Sequence, residues 1–135
     1  MAISFRIFKI KTNQFAYFDD RYSSSKKLNI KSKYEFKISD DYHIVVCKAI
    51  FEFFQEDNLL IKSDVECLFE INPSAIKEII KENKIPASDL QYLASIVTGI
   101  VRGIIHAKTE GTALNAIILP PINLVELIKD DFIIS

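Results

Sequence analysis

Residues 59–82 read LLIKSDVECLFEINPSAIKEIIKE, and the fold turns on what changes in the middle of them. Up to Ile71 the apolar residues recur at every second position. Leu59, Ile61, Val65, Cys67, Phe69 and Ile71 face one way, Lys62, Asp64, Glu66 and Glu70 the other, the pattern of a strand with one buried face. Asn72-Pro73 then supplies a helix N-cap and a proline at the first helical position. Beyond it the period is 3.6, with Ile76, Ile79 and Ile80 on one stripe and Lys77, Glu78, Lys81 and Glu82 opposite. A run of strands that gives way to a run of helices is the order of an α+β domain, not of alternating βαβ units.

Upstream the period of 2 persists. Residues 42–55 place Val45, Cys47, Ala49, Phe51 and Phe53 on one face of a long strand. The other face (Ile44, Val46, Lys48, Ile50, Glu52, Phe54) is too apolar for a fully wet surface and fits contact with a partner. Gln55 to Asn58, with Glu56-Asp57-Asn58, is a hairpin connection. Asp40-Asp41 marks a turn, and residues 27–38 alternate cleanly, with Leu28, Ile30, Tyr34, Phe36 and Ile38 opposite Asn29, Lys31, Lys33, Glu35 and Lys37. Residues 3–12 form the first strand. Ile3, Phe5 and Ile7 alternate before Phe8 and Ile10 take over the phase, which predicts a bulge near Ile7. Residues 13–26 read as a connection that contains four aromatics, Phe15, Tyr17, Phe18 and Tyr22. Such residues either tuck under the domain or form an exposed apolar surface. The first 71 residues are thus a four-stranded, antiparallel sheet.

Downstream, Asn83 and Pro86 end the first helix. Ser88 with Gln91 fits a capping box that opens a second helix, which runs to about Thr109 and stops at Gly111. At 1.5 Å per residue it spans about 30 Å. Leu90, Leu93, Ile96, Val97, Ile100, Val101, Ile104 and Ile105 make it apolar nearly all round, so it is buried on more than one side. Gly99 and Gly103, four apart, leave a flat stripe for close approach of the sheet or of a symmetry mate. Residues 116–122 are extended because of Pro120-Pro121, and Asn123 with Glu126 caps a short helix from Leu124 to Ile128. The expectation is one domain over residues 1–135: a sheet (1–71), a helical hairpin (72–110), then an extended segment and a short C-terminal helix (111–135).

Composition removes several function classes. The 135 residues carry a net charge of only −1, unevenly spread. Residues 1–38 hold nine Lys/Arg against three Asp/Glu, and the rest eight against fifteen, so the parts carry +6 and −7. The reading is mutual neutralisation on folding. The lysines alternate along a strand and no nucleic-acid motif accompanies them, so no nucleic-acid partner is expected. Cys47 and Cys67 form no C-x-x-C pair, and His43 and His106 add no ligand spacing, so no metal is expected. Two unpaired cysteines among apolar residues fit buried thiols in a reducing compartment, the cytoplasm. Residues 90–107 approach membrane hydropathy, but Arg102 inside them would cost at least about 2.5 kcal/mol in a bilayer, so no membrane insertion is expected. No phosphate loop, nucleophile elbow or zinc-protease motif occurs, and the paired carboxylates Asp19-Asp20, Asp40-Asp41 and Asp130-Asp131 sit at turns or ends. The chain is read as a binding protein, not an enzyme, without cofactors.

The order of elements and certain residues resemble the SecB protein-export chaperones. The resemblance runs from Phe69-Glu70-Ile71 through Ala94-Ser95-Ile96 and Arg102-Gly103 to Gly111-Thr112, and is clearest in Leu119-Pro120-Pro121-Ile122-Asn123. It covers residues 42–129, with residues 1–41 similar in pattern only, and it is closer to divergent SecB-like proteins than to the proteobacterial ones. What it implies is an ATP-independent holdase. Such a protein is a homotetramer, a dimer of dimers with long helices packed between sheets. It binds unfolded polypeptide in apolar grooves and passes clients to the SecA motor for export. By that resemblance Phe15, Tyr17, Phe18, Tyr22, Ile76, Ile80 and Ile85 contact clients. Ile44, Val46, Ile50, Ile96, Gly99, Ile100 and Gly103 form oligomer interfaces. The proteobacterial proteins engage SecA through an acidic sheet surface, whereas this chain is near neutral. The alternatives are a dedicated chaperone of a toxin–antitoxin pair, with an antitoxin as its partner, and a single-partner inhibitor or immunity-type module.

Overall fold

The computed structural model describes residues 4–134; Ile3, which the alternation places in the first strand, lies outside them. Four strands, β1 (Phe5–Tyr17), β2 (Asn29–Ile38), β3 (Ile44–Gln55) and β4 (Asn58–Ile71), form one antiparallel sheet in the order β1-β4-β3-β2. The helices α1 (Pro73–Glu82) and α2 (Ala87–Lys108) follow, separated by the short strand β5 (Lys84–Ile85). Then come a 3-10 turn (Ala113–Ala116), an extended segment, the one-turn helix α3 (Leu124–Leu127) and the strand β6 (Phe132–Ile133), which pairs antiparallel with β5. The expected α+β architecture of four strands, a short helix, a long helix and a short C-terminal helix is what the chain adopts.

The alternation in β3 and β4 sets the layers. Val45, Cys47, Ala49, Phe51 and Phe53 are wholly enclosed, as are Val65 and Cys67. Against them α2 lays Leu93, Ala94, Val97 and Val101, none of them exposed, and α1 adds Ile76 and Ile79. At about 1.5–3 kcal/mol per large apolar side chain removed from water, this two-layer core is the main source of stability. Leu59 is not part of it. A bulge between β3 and β4 sets Phe54 opposite Leu59 and Phe53 opposite Ile61, leaving Leu60 as the extra residue. Leu60 is therefore buried and Leu59 only half-buried, the reverse of what strict alternation predicts.

Strand β1 is longer than its sequence pattern predicts, because it bulges twice. One register shift lies between Ile7 and Lys9, as the phase change indicated, and a second between Thr12 and Gln14. Each returns the next apolar residue to the helix-bearing face, so Phe5, Ile7, Ile10, Phe15 and Tyr17 all lie opposite core positions of β4. Phe15 and Tyr17 are strand residues, not loop residues. From Tyr17 the chain crosses over the β3–β4 hairpin to reach β2 at the opposite edge. Gln55, 2% exposed, holds this crossover down. Its side-chain amide accepts from the Ser23 N–H at 2.9 Å and donates to the carbonyls of Ser23 at 2.6 Å and Lys26 at 3.2 Å.

The helix ends follow local chemistry in one case and remote chemistry in the other. The Asn72 side chain accepts from the Ser74 N–H at 2.9 Å, and Asn83 closes α1 in the left-handed conformation at φ 57°. α2, by contrast, does not use the Ser88–Gln91 capping box. Pro86 is extended and starts the helix two residues earlier, so Ser88 lies within the first turn. The capping acceptor is remote: the Asp131 carboxylate takes the Ala87 N–H at 2.8 Å and pairs with Lys84 at 3.1 Å. That N–H and that ammonium hold the Asp131 carboxyl below the usual range. Gln91 instead donates to the Ile128 carbonyl at 2.8 Å. The remote contacts tie the C-terminal segment to the start of α2. Gly111, at φ 81°, makes the left-handed step that turns the chain after α2.

Candidate functional site

Among the described residues, apolar surface stays uncovered on β1, on α2 and on the outer face of the sheet, besides single residues of α1 and the C-terminal segment. The first is the β1 side of the helix-bearing face. α2 packs on β3 and β4, so the β1 residues on the same face are only partly sheltered. Ile7 is 37% exposed, Ile10 51% and Tyr17 42%, with Phe15 half-buried between Ile10 and Tyr17 and Phe5 half-buried at the start of the strand. At about 3.4 Å per residue the band from Ile7 to Tyr17 is ~34 Å long, the reach of roughly ten extended residues. At its end the crossover adds Phe18, with the Arg21 guanidinium 4.0 Å from its ring centre, and Tyr22, which packs against the core.

The second surface is the outward side of α2. Gly99 and Gly103 are both exposed, flanked by half-buried Ile96, Ile100 and Ile104, with Tyr92 exposed a turn or two away. A side chain added at either glycine would meet nothing within 4 Å. The glycines therefore do not serve the packing of α2 on its own sheet. The third surface is the sheet face turned away from the helices. Ile44, Val46, Ile50, Phe54 and Leu68 are half-buried there among ion pairs: Arg6 with Glu70 at 2.6 Å, Lys48 with Asp64 at 3.3 Å and Lys11 with Glu66 at 3.7 Å.

The residues nominated for client contact do not form one patch. Phe15, Tyr17, Phe18 and Tyr22 gather where β1 leaves the sheet. α1 follows Ile71, which pairs with Phe5 at the other end of β1, so Ile76, Ile80 and Ile85 sit far from the aromatics. Of these three, Ile85 is fully enclosed and Ile76 is 8% exposed; both are core residues, because α1 turns its 76/79 stripe inward. Ile80, expected on that stripe, lies outside it and is 55% exposed. The nominated interface residues divide as well. Ile44, Val46 and Ile50 line the outer sheet face, while Ile96, Gly99, Ile100 and Gly103 line the outward side of α2. The exposed apolar residues Ile118, Val125 and Leu127 of the C-terminal segment are ones that sequence reading missed. The only signal for them was their place in a run interrupted by prolines.

Groups with reactive potential are occupied structurally. His43 Nδ1 lies 3.3 Å from Asp41, whose other oxygen accepts from Ser39 Oγ at 2.7 Å and from the His43 N–H at 3.1 Å. That is the bonding of a solvated turn. Cys47 and Cys67 face each other across β3 and β4, both fully enclosed, and burial pushes both thiols up, Cys67 to about 11. Burial also raises the Tyr34 phenol, whose hydroxyl lies 2.6 Å from Thr98 Oγ1 on α2. Among the described residues no three His, Cys, Asp or Glu side chains converge as metal ligands. α2 is long and apolar enough to span a membrane, yet Leu93, Val97 and Val101 of it are spent on the core.

No protein-family model matches the chain, and no curated protein does either. Solved structures do. One is the Mycobacterium tuberculosis SecB-like chaperone Rv1957 in complex with a ChAD peptide from the Rv1956 HigA1 antitoxin. It is 13% identical with a TM-score of 0.52, and the match covers 87% of this chain and 90% of that one. The fold is SecB-like. A protein of unknown function from Streptococcus agalactiae is 16% identical at a TM-score of 0.49, over 90% of this chain and 100% of that one. The SecB-like fold thus spans most of the chain, more than the residues 42–129 over which the sequence resembles that family.

Proposed function

We propose that this chain is an ATP-independent molecular chaperone, a holdase that binds non-native polypeptide. The observation that carries the reading is the apolar band along β1, open on the helix-bearing face of a SecB-like fold and ending in the crossover aromatics. Extended peptide bound there gains apolar contact without needing a particular sequence. The client contacts are Phe15, Tyr17, Phe18 and Tyr22 with Ile7 and Ile10 along the band. Ile80 is a separate contact, and Ile76 and Ile85 support α1 and β5 from within the core.

The two interface sets lie on opposite sides of the molecule. A single two-fold contact cannot use both, whereas a dimer of dimers requires two distinct self-complementary surfaces. A homotetramer uses the outward side of α2, with its glycines allowing close helix approach, and the outer sheet face around Ile44, Val46 and Ile50. The enclosed unpaired thiols fit a cytoplasmic protein.

A second reading has its own support. The Mycobacterium tuberculosis neighbour is bound to an antitoxin peptide, so a dedicated antitoxin client is the alternative to general protein export. Hand-over to SecA is the less favoured partner, since the ion pairs on the outer sheet face leave it mixed in charge. The test is dilution of a slow-folding protein from denaturant without ATP, followed by light scattering. Suppression at stoichiometric amounts, lost when Ile7 and Ile10 are both changed to Ser, is the expected result. Unchanged aggregation of several unrelated clients would refute a general holdase.

A further inference from the structure

We propose that residues 128–134 are a releasable strap and that α2 has two alternative N-terminal caps: Asp131 while the strap is closed, Ser88 with Gln91 once it opens. This rests on the reading of the chain as a holdase and adds how its apolar surface is regulated.

The closed arrangement is the one in the structure. Asp131 accepts from the Ala87 N–H at 2.8 Å and pairs with Lys84 at 3.1 Å, and the Gln91 side chain donates to the Ile128 carbonyl at 2.8 Å. The two residues of β6 pair with β5, and the Ile134 N–H donates to the Asn83 carbonyl at 3.0 Å. Between these ties the strap stands off the sheet. Phe132 has a cleft on either side, one of about 230 Å³ towards Tyr34, Phe36 and Leu90, the other of about 260 Å³ towards Ile38 and Tyr42. Lys129, Asp130 and Asp131 put charge on the rim of the first and Asp40 on that of the second. Of the strap only Ile128 and Ile134 are buried, and Ile133 is 62% exposed.

The open arrangement is written into the sequence at the same place. Ser88 and Gln91 have the spacing of a capping box, in which the serine hydroxyl accepts from the Gln91 N–H and the Gln91 side chain accepts from the Ser88 N–H. The closed strap forbids it, because Ser88 is held inside the first turn and Gln91 is committed to Ile128. Release of Ile128 and Asp131 removes both obstacles together. α2 then begins two residues later and is still capped, so the two bonds lost to the strap are offset by two bonds gained. Two discrete and mutually exclusive arrangements of one helix end are what a switch needs. Opening gives up the burial of Ile128 and Ile134, so the closed state predominates. Non-native polypeptide draws out the open state by covering the apolar side chains that the strap leaves behind.

The test is amide hydrogen exchange on the full chain, comparing wild type, Asp131→Ala, Ser88→Ala and the double variant, with circular dichroism confirming each fold. In Asp131→Ala, amides 128–134 should exchange at least tenfold faster while the Gln91 amide stays protected. Adding Ser88→Ala should then speed exchange at Gln91 at least tenfold, whereas Ser88→Ala alone should leave it unchanged. A strap still protected without Asp131, or an equal effect of Ser88→Ala in both backgrounds, would overturn the two-cap proposal. A second variant holds the strap shut. The bond from Ile134 to Asn83 makes that pair the hydrogen-bonded one, so Lys84 and Ile133 beside it are a non-hydrogen-bonded pair. Such Cα atoms lie about 4.5 Å apart, within disulfide reach. In Lys84→Cys, Ile133→Cys the oxidised form should suppress client aggregation at least threefold less well than the reduced form; equal suppression would overturn the regulatory role. A wild type that suppresses no aggregation yet shows the coupling of Ser88 to Asp131 removes the holdase reading and leaves the latch. A wild type that suppresses aggregation without that coupling removes only the latch.

Discussion

Replacing Arg102 by Met should cost the fold about 2 kcal/mol, and the structure says where the loss falls. Arg102 Nε donates to the Leu119 carbonyl at 2.7 Å and Nη2 to the Pro120 carbonyl at 3.2 Å. The segment they hold has little else. Pro120 and Pro121 bring no N–H, residues 117–123 form no helix or strand, and yet Leu119 is 1% exposed and Ile117 5%. Methionine keeps the packing of the side-chain stem and removes the guanidinium. A hydrogen bond from a charged donor contributes about 1.5–3 kcal/mol, and a buried carbonyl left without its donor costs about 1–3 kcal/mol. The longer bond, at an exposed carbonyl, adds little, which places the sum near the lower middle of that range. With an unfolding entropy of roughly 2.1 cal/mol/K per residue, ~2 kcal/mol over a chain this long lowers the melting temperature by about 7 °C. Urea unfolding measures the free energy and a thermal melt the temperature, both followed by far-ultraviolet circular dichroism at one fixed protein concentration. A midpoint within about 0.5 kcal/mol of wild type would refute the claim that Arg102 pins the Leu119-Pro120-Pro121 segment.

Three further outcomes are expected. Gly103→Leu adds a side chain that meets nothing inside the chain, so the subunit should keep its fold while the assembly loses mass in light scattering; an unchanged mass would remove α2 from the interface. Gln55→Ala frees the crossover from three hydrogen bonds, and amides of residues 18–28 should exchange at least tenfold faster with the sheet unaffected; equal protection would mean that side-chain packing, not Gln55, holds the crossover. Folding raises the Cys67 pKa to about 11, so the neutral thiol favours the folded state fully below the free-thiol value near 8.5, and this stability drains away as pH climbs from there to about 11. The fall in urea midpoint from pH 8 to pH 10.5 should therefore be shallower in a Cys47→Ala, Cys67→Ala variant than in wild type. Parallel slopes would sink the idea.

The sheet and helices were legible because their signals are local. Asn72-Pro73 and the change of period around it depend on neighbours in sequence, and β3, β4 and α1 follow from them. What escaped depends on partners far along the chain. Leu60 is buried because a bulge pairs Phe53 with Ile61, which alternation in β4 alone cannot reveal. Asn13-Gln14 reads as the start of a connection, yet a second bulge carries β1 through it to Tyr17. Ser88 carries the local signature of a cap, but Asp131 fills that role from the other end of the chain. The candidate site shows the same division. The apolar excess of α2 was readable as too great for one sheet, whereas which of its sides stays open depends on how far the helix layer reaches across β1. Ile80 could not be separated from Ile76 and Ile79 by spacing alone.

The uneven charge of the sequence shows how such partial legibility still bears on function. The surplus of lysine and arginine in the first 38 residues fares differently on the two edge strands of the sheet. Arg6 and Lys11 on β1 meet Glu70 and Glu66 on the adjacent β4, where opposite charges across a strand pair are expected to neutralise. The lysines of β2 cannot do so, because β3 separates them from the acidic residues of β4 and offers Lys48 and Glu52 in place of an acidic row. Sheet order thus leaves one edge bulged and the other straight, with unpaired lysine on both. Bulges discourage a regular added strand, while a straight edge invites one.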